Sequence, residues 1–183
     1  MQQPLTKIFF GVLILLGGLS GCSASYDVFE TGNQAASPES TPTSTVAQKS
    51  NSGKFTQLEQ SFYQQVNQYR KSRNLPPLTL DSRISVQARV HSEAMASGRV
   101  PFSHNGFDDR VKIISRSISY RSAAENLAYN QGYSDPSQQA VEGLINSPGH
   151  RKNMEGNFNL TGVGVSKNAK GEYYFTQIFI KRR

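Results

Sequence analysis

The chain reads as an α+β domain, with helices first and an antiparallel meander last. Three features predict this. Apolar residues recur at three- and four-residue steps through the first two thirds of the domain. Alternation around glycines follows, with a hairpin turn. The domain contains no cysteine, because the 183-residue chain has a single one, Cys22. No disulfide can support the fold, so a packed core must. From Gly53 to Arg183 there is enough chain for one self-sufficient domain that buries roughly two thirds of its unfolded surface.

The first helix is expected over Phe55–Asn74. Phe55, Leu58, Phe62, Val66 and Tyr69 form one stripe facing a core, and Pro76 and Pro77 stop it. Asp81 is a good N-cap for a second helix, Ser82–Ser97. Its stripe is Ile84, Ala88, His91 and Met95, and Gly98 ends it. His91 reads as a packed helical histidine, since nothing near it in sequence pairs with it. Asp108 is expected to cap a short helix through Ile114. Residues Ser115 to Ser122 are polar and carry no clear pattern. Asp135 followed by Pro136 is a cap with proline at the first helical position, opening a helix to about Asn146. Ala140, Val141, Leu144 and Ile145 are its apolar positions. Ser147-Pro148-Gly149 breaks it, and His150–Met154 reads as a short turn.

Two strands close the chain. Leu160, Gly162 and Gly164 alternate with Thr161, Val163 and Val165. Asn168-Ala169-Lys170-Gly171 is a hairpin turn with glycine free for positive φ. Tyr173–Ile180 is rich in aromatic and β-branched residues and pairs back. Thr161-Gly162-Val163-Gly164-Val165 superficially resembles a phosphate loop, but such a loop opens a helix and this one leads into a hairpin.

The N-terminal residues read as a targeting segment, 1–21. Lys7 precedes an apolar run from Ile8 to Leu16, too short to span a bilayer comfortably. Leu19-Ser20-Gly21-Cys22 resembles a bacterial lipobox, which would make Cys22 the lipidated first residue of the mature protein. Ordinary cleavage nearby, leaving a free thiol, is the alternative. Residues 22–52 are rich in Ser, Thr, Pro, Gln and Asn, cannot form a packed core, and read as a tether. Such a tether has a reach of roughly 30 Å. A cell-envelope location, anchored to the lipid bilayer through Cys22, is expected, with domain 53–183 outside the cytoplasm.

The whole chain carries a formal charge of +7. The positive charge is concentrated in the domain, where Lys and Arg number 18 against 10 Asp and Glu. A basic domain raises nucleic acid as a partner, but export argues against it. Anionic envelope polymer, lipid or a protein is the more accessible partner, and a solvated surface without a partner is the simpler alternative.

Three polar patches sit between the apolar segments: Phe102-Ser103-His104-Asn105, Ala124-Glu125-Asn126-Leu127 and Ser147-Pro148-Gly149-His150-Arg151. Loop placement is expected for them, since chemistry concentrates on loops held by a rigid scaffold. Two imidazoles and a carboxylate are ligand types of an open zinc site, so His104, His150 and Glu125 are candidate ligands for a divalent metal. Without metal, the same three are candidate acid–base residues. Ser103 and Ser147 lie near histidines, with no activated-serine motif around either. The alternative is structural: Glu125 capping backbone amides, Arg151 pairing with an acid, and the histidines bonding across a cleft.

The order of these patches resembles the CAP superfamily, the cysteine-rich secretory, antigen 5 and pathogenesis-related 1 proteins that share the SCP domain. Val66-Asn67-Gln68-Tyr69-Arg70 and Leu75-Pro76-Pro77-Leu78 resemble the family's first helix and its exit. His104 falls in its first histidine motif, Glu125-Asn126 in its Glu-Asn signature, and Ser147–Met154 in the bacterial branch's motif. Gly162-Val163-Gly164 and Tyr174–Phe179 resemble its closing hairpin. The resemblance implies a three-layer α-β-α sandwich with a central cleft. In eukaryotic members that cleft holds two histidines and two acids. His104 and Glu125 match directly, whereas Tyr174 stands where the second histidine falls, Ser147 near the second glutamate, and Leu144 where a tryptophan is common. His150 is the bacterial motif's own histidine. The resemblance implies an extracytoplasmic binding module for a metal, small ligand or lipid. The alternative it leaves is a metal-assisted hydrolase acting on peptide or cell-wall material.

Overall fold

The computed structural model describes residues 56–183. The targeting segment, Cys22 and the tether lie outside the described residues. Nine elements follow in the order α1 (Gln57–Ser72), β1 (Thr79–Leu80), α2 (Ser82–Ala96), α3 (Phe107–Ser115), β2 (Tyr120–Gln131), α4 (Pro136–Asn146), α5 (Pro148–Met154), β3 (Leu160–Lys167) and β4 (Glu172–Arg182). The sheet order is β1-β3-β4-β2. β2, β3 and β4 are antiparallel, and the two-residue β1 joins β3 in parallel.

The helices form layers on both sides of this sheet. Phe62 and Val66 of α1, Ala140, Val141 and Leu144 of α4, and Met154 of α5 pack with Val163, Phe175 and Phe179. Ile84 and Ala88 of α2 and Ile114 of α3 pack with Ile178 and Ile180 from the other face. Each such aliphatic or aromatic burial contributes about 1.5–3 kcal/mol. Alternation along β4 feeds both cores, because successive side chains point to opposite faces.

The helix boundaries follow local chemistry. Thr56 and Glu59 form a reciprocal capping box at α1. Asp81 and Asp135 accept backbone N–H bonds from Arg83 and Gln138. Gly106, at φ 76°, is the N-cap of α3, so Asp108 lies in the first turn instead of capping it. The expected turn at His150 is a helix that begins at Pro148.

Gly162 and Gly164 are needed for close approach. A Cβ at Gly162 would lie 2.4 Å from the α2 backbone at Ile84 and Ser85, and one at Gly164 would lie 2.2 Å from the amide nitrogen of Arg89. α2 therefore rests directly on β3. Ser85 Oγ accepts the Val163 N–H at 3.0 Å, and Ser92 Oγ donates to the Gly164 carbonyl at 2.9 Å.

The sequence pattern does not announce β2. It pairs with β4 from Tyr120↔Arg182 to Gln131↔Glu172, with an irregularity between Tyr120 and Ser122. Glu125 therefore lies on an edge strand, which corrects the loop placement expected for its patch.

Candidate histidine cleft at the edge of β2

Glu125 and Asn126 are neighbours on β2, so their side chains leave the strand on opposite faces. Each holds one histidine segment. On one face Glu125 Oε1 accepts from His104 Nδ1 at 2.9 Å. On the other, Asn126 Nδ2 donates to the His150 carbonyl at 3.0 Å. Asn153 of α5 donates to Asn126 Oδ1 at 2.9 Å and to the Glu125 carbonyl at 3.3 Å. The Glu-Asn pair thus gathers both histidine segments at one point of the edge strand.

Glu125 is buried, and α3 supplies the cation it needs. Arg110 Nε and Nη2 donate to Oε2 and Oε1 at 3.0 and 2.8 Å, the bidentate geometry suited to a guanidinium. The remaining Arg110 donors reach the Asn105 and His104 carbonyls and His91 Nδ1. All five guanidinium hydrogens are used. The carboxylate can only accept, so His104 carries its proton on Nδ1 and presents Nε2 away from Glu125. His104 remains half exposed, with 53% of its side-chain surface open.

His91 belongs to this network, which corrects its reading as a packed residue without a partner. Its Nε2 lies 2.9 Å from the Ser103 carbonyl and must donate. Its Nδ1 then accepts from Arg110 at 3.2 Å. Burial first, and then the Arg110 charge, hold its pKa below the ordinary histidine value. The bonding fixes a neutral tautomer, in agreement with that direction.

His150 sits at the start of α5. Its Nδ1 lies 2.9 Å from Ser147 Oγ. Burial lowers its pKa, and the charge of a protonated His104 lowers it further. Arg151 donates to the Ile145 carbonyl at 3.1 Å and closes α4 onto α5. Tyr174 lies on the cleft side of β4 but in an aromatic cluster with Phe102 and Tyr129, at centroid distances of 5.5–6.5 Å. Phe102 is 50% and Tyr129 43% exposed.

The donors offered are two imidazole Nε2 atoms. Both Glu125 oxygens already accept from Arg110, and Oε1 also accepts from His104. Among the described residues, no group of three or more His, Cys, Asp or Glu side chains is placed to hold a metal ion. His104 and His150 are the residues that would offer a cation their Nε2 atoms, with Glu125 orienting His104 from behind. Arg110 is the functional residue that motif reading missed. Its signal was a lone cation on the buried stripe of α3, in the series Phe107, Arg110, Val111 and Ile114.

Comparison with known proteins agrees with this architecture. The profile described as "Cysteine-rich secretory protein family" matches residues 63–179. The uncharacterized protein YkwD of Bacillus subtilis is 33% identical over 162 residues, which are 86% of this chain and 58% of YkwD. An extracellular protein containing an SCP domain from Bacillus anthracis is 32% identical, with a TM-score of 0.56 over 68% of this chain and 40% of that one. An outer surface protein of Borrelia burgdorferi shares the fold at 20% identity, with a TM-score of 0.58 over 72% of this chain and 99% of that one. The chain spans little more than half of YkwD and less than half of the B. anthracis chain. The profile match across most of the domain, on a fold whose edge strand joins His104 and His150 through Glu125 and Asn126, makes this chain a member of the cysteine-rich secretory protein (CAP) family.

Proposed function

We propose that the protein is an extracytoplasmic binding module, lipid-anchored through Cys22, whose cleft binds a small ligand or divalent cation through His104 and His150. The observation that carries this reading is the engagement of Glu125. A carboxylate held by the two prongs of Arg110 and by His104 is neutralised and fixed. Both of its oxygens are already engaged, so its role is to position His104. The extracellular B. anthracis relative supports the location. Among the described residues no helix is long and apolar enough to cross a membrane.

Zinc is the cation that two neutral imidazoles suit. His104 Nε2 and His150 Nε2 would hold it, and it would supply a Lewis-acidic centre to an incoming ligand. Titration calorimetry of chelator-treated protein with zinc tests this reading. Binding that weakens at least tenfold in His104→Ala and in His150→Ala supports it, and equal binding by all three proteins removes it. Mass spectrometry of the mature N-terminus tests the anchor. An unmodified start at any residue other than Cys22 would sink it.

A second reading, hydrolysis of peptide or cell-wall material, draws on the Ser147–His150 hydrogen bond, which pairs a hydroxyl with a histidine held neutral. Turnover on such substrates that vanishes in Ser147→Ala or Glu125→Gln, with folding intact, would favour it over the binding module.

A further inference from the structure

Seven of the 18 basic residues of the domain lie at one end of the sheet. β4 ends there with Lys181, Arg182 and Arg183, and β2 begins there with Arg121 beside the pairing irregularity. The Arg183 N–H and Nε donate to the Ser119 and Tyr120 carbonyls. The C-terminal end of α3 adds Lys112 and Arg116. The start of α2 adds Arg83, whose Nη1 reaches the Ser117 carbonyl at 3.1 Å. Seven cations from four elements therefore share one end.

Among the described residues, Asp81 is paired with Arg83 at 2.6 Å, and Asp108 and Asp109 in the first turn of α3 lie one helical turn from Lys112. Lys112, Arg116, Arg121, Arg182 and Arg183 have no ion-pair partner among the described residues, and all five are exposed. Unpaired like charges repel, so this arrangement costs stability unless something anionic covers it.

The chain enters the domain at the opposite end. Leu58, just inside α1, accepts from Ser137 at the start of α4, and Asn130 near the end of β2 donates to Pro136. β2 has 12 residues, and a strand of that length spans roughly 40 Å. The basic end therefore lies opposite the point at which the chain enters the domain.

We infer that this basic end docks a polyanionic polymer of the envelope, one with phosphate or carboxylate groups repeated along its length. Five of the seven cations are arginines, whose planar fork matches both groups. A linear polyanion fits a cationic band that crosses from the helical layer to the sheet. The inference is independent of the histidine cleft, and it rests on the proposed extracytoplasmic location only in preferring an envelope polymer to nucleic acid.

The test is binding of the purified domain-bearing chain to inorganic polyphosphate, polygalacturonate, phosphatidylglycerol vesicles and duplex DNA, in rising salt. At least one of the two polymers is expected to bind, about tenfold or more weaker between 50 and 200 mM salt. The Arg116→Ser/Arg121→Ser/Arg182→Ser triple variant should lose at least tenfold. A charge-matched Lys71→Ser/Lys167→Ser/Lys170→Ser variant should stay within about twofold, because its lysines lie elsewhere. Preference between the two polymers identifies the anionic group. Equal losses in both variants, no binding to either polymer, or tighter binding to vesicles or DNA than to both polymers would overturn the inference. Localisation of the protein by fractionation reports separately on the extracytoplasmic reading.

Discussion

Arg110 of α3 and Glu125 of β2 form a two-pronged buried pair, Nε to Oε2 at 3.0 Å and Nη2 to Oε1 at 2.8 Å. The pair ties a helix to the edge strand and fixes His104 at the same time. Its Nη1 reaches His91, so one guanidinium organises a carboxylate and two imidazoles.

Removing one member of this pair strands the other in a buried site. Arg110→Ala should destabilise the domain by about 3–5 kcal/mol. Glu125→Gln, which keeps shape and some hydrogen bonding, should cost less. Chemical denaturation of the two variants checks the order.

Asn126 joins β2 to α5 through the His150 carbonyl and the Asn153 side chain. Asn126→Ala should cost about 1–3 kcal/mol, the penalty for buried polar groups left without partners. It should also weaken zinc binding without touching an imidazole. Calorimetry at a temperature well below the variant's melting point separates the two effects.

His91 and His150 both have pKa values held below the usual histidine value, so the unfolded chain binds more protons as pH falls. Stability is then complete above about pH 6.5 and declines below it, toward the lower folded-state pKa values. Melting temperatures from pH 7.5 to 5 should fall, and the slope should flatten in His91→Asn, which cannot take up the proton.

Gly164→Ala drives a methyl group into the Arg89 amide at 2.2 Å. Overpacking of this kind costs about 1–3 kcal/mol, and more where backbone must move. Gly143→Ala, where a Cβ meets nothing within 4 Å, is the matched control and should be neutral or mildly stabilising.

The stripes of α1, α2 and α4 were legible because apolar residues at helical spacing must face a core, and the closing hairpin because alternation and a glycine turn leave few options. β2 was not legible. Ala123, Ala124, Asn126 and Asn130 have weak strand preference, and only pairing along the whole of β4 makes them a strand. The family motif marked His104, Glu125 and His150, but spacing gave no hint that adjacent residues on one strand would hold both histidine segments from opposite faces. Arg110 and His91 were visible only as polar residues on apolar stripes. That signal shows that a partner is needed without naming it.

In the proposed site Glu125 positions His104, while His104 and His150 do the binding. Zinc titration of wild type, His104→Ala, His150→Ala and Glu125→Gln in chelator-treated protein separates these roles. Each histidine variant should lose at least tenfold in affinity. Glu125→Gln should lose about 10–100-fold, as expected for a residue that orients a ligand without touching the cation. Wild-type zinc affinity in both histidine variants would rule out a cation held by His104 and His150.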